Sequence, residues 1–487
     1  MIILSILFKK FILKSFFIYL HSIKMADVDM PQDRDETIPN FLMLKQIPVN
    51  YIQQVETDLL ESVVFNQGGA TTDGFCRFVL QNKGFLSSRS KIFLALKPDS
   101  TITDAYLAPH LGIGQVIKKA VLKIGNKQIN EIDSWAGLYG IKSSLITNEN
   151  NLEREQYLTG RYLNHDFNYS DGSKALADGY GIDNGVSKNG TAFKTPSWAT
   201  MDGSLPDQCP SYSIDLSDLF PFLKVHQLPL YMINEPIAIE LTFQPTQKHR
   251  VQIASGQTTE KSCEIVRDQL KFCADYIFYG ATDEMDRFAQ ANGDLSFSFV
   301  DYRVVEHSTT TAFLGDGLIR NLGMANRIVP RIIVTTTKTG DNEETLLGQY
   351  NAISPEVNAS GVQGTFKYNI RYNDRFEFTS DVDNTARMFS IFTDSESVPF
   401  VTRDEYSDQG VAGQITGNTF QGRSQNTNLQ GHFFYMGTRL TNGRVGQRGI
   451  ELHLTSGVPA NVDLLRCYCE YVRVARLVGG NMEVYNA

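Results

Sequence analysis

Twice along its length the chain passes through one order of features: alternating runs, a hairpin, a capped helix, a long glycine-rich stretch and closing strands. Period-two alternation puts every second side chain on one face, so each run buries one face and needs a second sheet to cover it. In the first half the alternating runs fall at residues 61–65, 74–80 and 91–96. A hairpin follows over 116–132, with Gly125-Asn126 at its turn because both residues take positive φ cheaply. Asp133-Ser134 then caps a helical pattern of Trp135, Leu138, Tyr139, Ile141 and Leu145. Residues 148–208 are polar and glycine-rich, too long for an ordinary connection. Closure comes over 213–243. Asp215 and Ser217 are the cap candidates of one short apolar helix carrying Leu219, Phe220, Phe222 and Leu223, with Pro221 tolerable only in its first turn. Pro229 and Pro236 bracket a bend. Ile237, Ile239, Leu241 and Phe243 then alternate with Ala238, Glu240 and Thr242 as a strand.

The second half repeats the order without repeating the sequence. Strands are expected at 263–266, 269–279, 295–305 and 328–336, and a hairpin over 366–378 turning at Asn373-Asp374. Asp381 or Asp383 caps a helix holding Ala386, Met388, Phe389 and Phe392. A second glycine- and amide-rich stretch covers 403–431, before closing strands at 432–440, 449–455 and 465–477.

At 487 residues the chain exceeds the roughly 250–300 at which one core stops growing, so two domains are expected. With 30 Phe and 21 Tyr against 2 Trp, and 38 Gly, the composition suits strands and loops rather than helices. The divisions read as an apolar and basic extension (1–24), an arm (25–54), a first sandwich (55–246), a linker (247–262) and a second sandwich (263–487). Net charge is −9, and the first 24 residues hold four lysines and no acid, which leaves −13 on the remainder. An acidic body argues against binding phosphate backbones directly.

Residues 1–24 fit neither a spanning helix nor a signal peptide, because Lys9, Lys10 and Lys14 interrupt the apolar run. An upstream start, with Met25 the true beginning, is preferred over a cationic amphipathic arm. The six cysteines, Cys76, Cys209, Cys263, Cys273, Cys467 and Cys469, form no C-x-x-C pair and read as reduced, buried thiols.

Several short motifs invite chemical readings and fail them. Asn373-Asp374-Arg375 reads as a turn with a local ion pair rather than a catalytic carboxylate. The carboxylates of 403–408 (Asp404, Glu405, Asp408) lack the spacing of a calcium loop. Gly112-Ile113-Gly114 has Ile117 where a third glycine belongs, and no Gly-Lys-Ser/Thr occurs. Sequons at Asn168, Asn189 and Asn358 matter only on a secretory route, for which there is no signal. No G-x-S-x-G is present. No catalytic, cofactor-binding or metal residue is assigned, and no enzyme or cofactor is expected.

Many short antiparallel strands separated by turns make β-sandwiches, and eight strands in two Greek keys make a jelly roll. Two such modules in one chain stand side by side, with the long loops of both projecting from one face. In Asp215-Leu216-Ser217-Asp218-Leu219-Phe220-Pro221, Gln227-Leu228-Pro229-Leu230 and 237–243, and again in Tyr368-Asn369-Ile370-Arg371-Tyr372-Asn373-Asp374-Arg375-Phe376 and Asp381-Val382-Asp383-Asn384-Thr385-Ala386, the sequence resembles double jelly-roll major capsid proteins. It is most similar to those of polinton-like viruses and virophages, and more distantly to those of large nucleocytoplasmic DNA viruses. The agreement in feature order covers most of 55–477. The resemblance implies an all-β double jelly roll with short inserted helices. It implies a homotrimeric, pseudo-hexagonal capsomer of an icosahedral virion shell, with penton and minor capsid proteins as partners. An internal membrane beneath the shell is left open. The alternative is a carbohydrate-binding or carbohydrate-active β-sandwich, in which strand aromatics and loop carboxylates would line a cleft.

Overall fold

The computed structural model describes residues 53–98, 105–106, 111–146, 158–159, 211–254, 257–279, 294–308, 318–337, 367–382, 387, 390–391, 435–440, 443–456 and 464–487. The extension 1–24, nearly all of the arm, most of both glycine-rich stretches, Cys209, the three sequons and the acidic run 403–408 lie outside these residues. Contacts group Gln53–Phe278 with Asp294–Ala487 in one large unit, and Met1–Ile52 with Tyr279–Gly293 in a small one. The large unit contains both halves of the repeat.

The first half is a sandwich. Its five-stranded sheet runs Val64–Asn66, Gly74–Leu80, Ile237–Phe243, Ile117–Ile124, Lys127–Ile132, so the closing strand sits centrally, far from its sequence neighbours, as a Greek key requires. Ile239 lies opposite Phe78 and Leu122, and Leu241 opposite Cys76 and Ala120; all six are fully buried. On the outer face of the same strand Glu240 takes Lys123 Nζ at 2.6 Å and Arg77 Nε at 3.8 Å. The facing sheet is built from Leu228–Pro229, Phe85–Leu86, Lys271–Tyr279, Lys91–Pro98 and Cys263–Ile265, with Gln53–Glu61 beside Lys271–Tyr279 and Ser211–Asp215 beside Lys91–Pro98. Phe78 and Phe272 meet between the sheets at 5.9 Å.

The second half is also a sandwich. Leu464–Val478 pairs along its whole length with Asp294–Ser308, while Arg331–Thr337 and then Asn481–Asn486 take its other edge. Leu318–Gly323, Ile450–Ser456, Lys367–Tyr372 and Arg375–Phe376 form the facing sheet. Its hairpin turns as expected: Asn373 and Asp374 have φ of 52° and 60°, the two positive values of a type I′ turn. At the first-half turn only Gly125 is positive, at 60°, which is the type II′ pattern. The described chain is therefore all-β with short helices, two jelly rolls in succession.

Several local expectations are corrected. The apolar helix near Pro221 is two single turns, Leu216–Leu219 and Pro221–Val225, because Phe220 is extended (φ −132°, ψ 111°) and Pro221 starts a new helix at N1. Asp215 occupies the first cap position without a side-chain capping bond and faces Lys91 Nζ at 3.4 Å. Ser217 lies inside the first turn. The helix over Trp135–Ile146 is present, and the Ser134 hydroxyl just before it donates to Glu306. Of the helix expected after Asp383, only Arg387, Ser390 and Ile391 are described, all helical.

The expected linker 247–262 is structured, carrying a hairpin of Arg250–Ala254 and Gln257–Lys261 beside Ala105–Tyr106. Cys263–Ile265 and Lys271–Tyr279, assigned to the second sandwich, pair with Lys91–Pro98 of the first. The first sandwich accordingly extends to Tyr279. The misplacement has a physical cause: a strand's partner is chosen by sheet edges, and nothing local records which edge is free.

Candidate functional site: the seam between the two sandwiches

Buried apolar residues of the two halves belong to one contiguous core cluster, and a buried polar network lies where they meet. The apolar part begins at the Pro221 break. Restarting the helix there turns Phe222, fully buried, edge-on to Phe297 (5.7 Å) and Phe299 (5.0 Å) of strand Asp294–Ser308. Next to it, His226 packs on Phe297 at 5.4 Å, and its Nε2 donates to the carbonyl of Ser298 at 2.6 Å.

Asp301 holds the polar part together. It is 1% exposed and accepts from Asn130 Nδ2 (3.1 Å), the Tyr302 amide (3.0 Å), Tyr471 Oη (3.3 Å) and Arg473 Nη1 (2.8 Å). Arg473 Nη1 also donates to the Ile129 carbonyl at 2.7 Å, and Asn130 Oδ1 accepts the Phe222 amide at 3.1 Å. One carboxylate, one guanidinium and one amide thus tie Lys127–Ile132 and the Phe222 turn of the first sandwich to two strands of the second. Burial pushes the Asp301 carboxyl above its ordinary value, against the pull of Arg473 and Asn130.

Two further carboxylates lie nearby. Burial opposes the ionisation of Glu306, but Arg466 Nε at 2.6 Å and the Ser134 hydroxyl at 3.1 Å outweigh it and hold the carboxyl low. Tyr468 Oη closes this contact by donating to the Ser134 carbonyl at 3.2 Å. Glu470 behaves alike: burial is outweighed by Arg331, at 2.5 Å, and by Lys142 of the first half, with Tyr302 Oη donating at 2.6 Å. At the far end the Gly480 carbonyl accepts the Asn234 amide (2.8 Å), and Glu235 Oε2 accepts the Met482 amide (3.0 Å). Gly480 has φ 84°, and a Cβ there would stand 2.2 Å from Asn234 Nδ2, so glycine is required.

These groups bond chiefly to one another, with Arg473 Nε the one atom of the Asp301 network left buried without a partner among the described residues; their chemistry is that of a joint. The nominated motifs lie elsewhere. Asp374 forms an exposed pair with Arg448 (2.6 Å) and a longer one with Arg371 (3.9 Å). Gly112-Ile113-Gly114 opens a buried 3₁₀ turn, where a Cβ on Gly114 would meet the Tyr139 ring at 2.6 Å, so packing accounts for that glycine. Cys76, Cys263, Cys467 and Cys469 are buried and in no disulfide, and burial pushes the last thiol up to about 12. Among the described residues no cluster of three or more His, Cys, Asp or Glu is arranged to hold a metal. The network itself was missed in the sequence. Its one signal is charge at mid-strand, Asp301 within SFSFVDYRVV and Glu470 and Arg473 within CYCEYVRVARL, where solvent exposure was the simpler reading.

No protein-family model matches the sequence, and no curated protein does. Solved structures do match the fold. The cryo-EM structure of the Sputnik virophage aligns with a TM-score of 0.55 and 11% identity, covering 91% of this chain and 90% of that one. The PBCV-1 virus capsid aligns at 0.50 and 11%, covering 91% of this chain and all of the other. At such identity the likeness is one of fold: two jelly rolls in the same succession.

Proposed function

We propose that this chain is a major capsid protein, which self-assembles through homotrimeric, pseudo-hexagonal capsomers into an icosahedral virion shell. Threefold copies of a two-sandwich chain present six similar modules, and six modules tile a hexagonal lattice. The observation that carries the reading is the seam: two sandwiches fixed by shared apolar core and a buried Asp301–Arg473–Asn130 network present one rigid outline. Tiling needs that rigidity, because a hinge between modules would spread the angles at which neighbours meet. Fold likeness to the capsid structures over nine-tenths of the chain supports the same reading. The role is structural rather than enzymatic, with interface burial doing what bond chemistry does in an enzyme.

The immediate partner is a second and third copy; penton and minor capsid proteins complete the shell, and the acidic body does not contact the genome directly. Size-exclusion chromatography with light scattering, followed by negative-stain electron microscopy, tests the proposal. Trimers that form hexagonal sheets or shells are expected. A stable monomer at micromolar concentration, or isolated particles with affinity for glycans, would refute it.

A further inference from the structure

Strand Gln53–Glu61 pairs through its backbone with Lys271–Tyr279, and the side chains that add to this ladder are mostly polar and at the surface. Val55 and Leu59 are 54% and 62% exposed, and of its apolar residues only Leu60 packs against the core. Lys83 Nζ lies 2.9 Å from Glu56 Oε1 and 2.8 Å from Asp58 Oδ2, and 4.7 Å over the Tyr276 ring. Thr57 Oγ1 donates to Asp275 Oδ1 at 2.7 Å. Such surface ion pairs hold weakly and are screened by salt. Only Ser62 and Val63 separate the strand from Val64–Asn66, which is anchored in the opposite sheet on Phe75, Cys76 and Arg77.

The strand covers one edge of Lys271–Tyr279, whose other edge pairs in turn with Phe85–Leu86 and Lys91–Pro98. If it left, an unpaired edge of nine residues would seek another strand. A short connection at the base of an element favours its exchange between copies.

We infer that Gln53–Glu61 is an exchangeable strand, and that in the assembled protein its place on Lys271–Tyr279 is taken by the same strand of a second copy. The occupant follows from the contacts. Only an identical strand returns two carboxylates to Lys83, a hydroxyl to Asp275 and a leucine to the site of Leu60, so exchange re-forms each bond while tying two copies together. Nine extended residues reach about 30 Å, which sets how near the neighbour's edge must be. Val55, Leu59, Val63 and Val64, 46–68% exposed, lie on this strand, its connection and the first position of the next strand, and become covered where two copies meet. The inference rests on the shell reading, since it needs copies packed side by side.

Isotope-mixed cross-linking tests it. Light and heavy-nitrogen chains are mixed before assembly, the particles are treated with a carbodiimide, and Lys83 peptides joined to Glu56 or Asp58 are weighed. Exchange predicts mixed-label pairs approaching about half of the total. Single-label pairs alone, in particles that microscopy shows to be assembled, overturn the exchange and leave the shell reading intact; failure to assemble at all overturns both. Hydrogen exchange on the unassembled chain supplies a second readout. Lys83→Met is expected to raise amide exchange over 54–61 by on the order of tenfold, while leaving Ile237–Phe243 unchanged. Protection of 54–61 equal to that of Ile237–Phe243 in about 1 M salt would also overturn it.

Discussion

Removing the Asp301 carboxylate should show whether the seam is a structural joint. In Asp301→Ala the Asn130 amide, the Tyr302 amide, Tyr471 Oη and Arg473 Nη1 each lose an acceptor in a place where the lost carboxylate was 1% exposed. Arg473, whose side chain is 15% exposed, keeps only the Ile129 carbonyl among these partners. Breaking a buried ion pair from one side typically costs about 3–5 kcal/mol, because the surviving charge is left uncompensated. That is roughly a hundredfold to several-thousandfold shift in the folding equilibrium. The burial that raises the Asp301 carboxyl decides how the double variant should behave. Much of the pair's Coulomb energy is consumed by desolvation, so Asp301→Leu with Arg473→Met, which removes both charges, should recover most of the loss. Urea unfolding followed by the fluorescence of the two tryptophans and by far-ultraviolet circular dichroism reads the result; Trp135 is buried beside the seam. A cost under about 1 kcal/mol for Asp301→Ala, or a double variant as unstable as the sum of its singles, would refute the reasoning.

Phe222→Ala should cost about 3–5 kcal/mol, the range for deleting a fully buried ring, here one that also gives up two edge-on partners; a thermal melt measures it. Gly114→Ala should cost about 1–3 kcal/mol in the same assay, since the new methyl must displace the Tyr139 ring. His249 makes stability depend on pH in a defined window. Burial lowers it to about 4, so it stays neutral in the fold while the unfolded chain binds a proton below 6.5. Unfolding is then favoured as pH falls from 6.5 towards 4, by up to about 3 kcal/mol, and nothing is lost above 6.5. Glu306 and Glu470, held low, contribute stability above the ordinary glutamate range that disappears only below it, so pH 5–6.5 isolates the histidine from them. Urea midpoints across that interval should vary less steeply in His249→Gln, the remaining slope belonging in part to His307, which burial and Arg320 also hold low; an unchanged slope would exclude His249 as the cause.

What the sequence disclosed depended on the range over which its physics acts. The alternation of Ile237–Phe243 and the pairing of Asn373 with Asp374 are local, and both appear where expected. The break at Phe220 was half legible: Pro221 signalled a helix start, but nothing nearby said that the preceding turn would end first. The boundary at 247–262 failed because Lys271–Tyr279 alternates equally well in either sandwich, and its partner Lys91–Pro98 lies far upstream. The seam was least legible of all. Asn130 and Asp301 are 171 positions apart, and Arg473 reaches Ile129 across 344. A charged residue in a strand looks the same in sequence whether it faces water or a buried partner.

The second sandwich should therefore fail to stand alone. Asp294–Ser308 is the edge strand of its sheet, paired on one side with Leu464–Val478. On the other side the first sandwich supplies the donors: His226 to the Ser298 carbonyl and Asn130 to that of Val300, the latter at 3.5 Å. Long unprotected edges recruit other strands and aggregate. Detaching the first half would also bare Phe299, now 3% exposed, with a loss of about 1.5–3 kcal/mol for that side chain alone. Asp301, Arg473 and Glu306 would lose Asn130, the Ile129 carbonyl and Ser134 in the same step. Residues 294–487 expressed by themselves should accumulate as insoluble material, and co-expression with 53–279 should return a soluble complex. A soluble, monomeric 294–487 fragment with cooperative unfolding would mean that the seam is an accessory contact, and the rigidity that the proposed tiling requires would need another source.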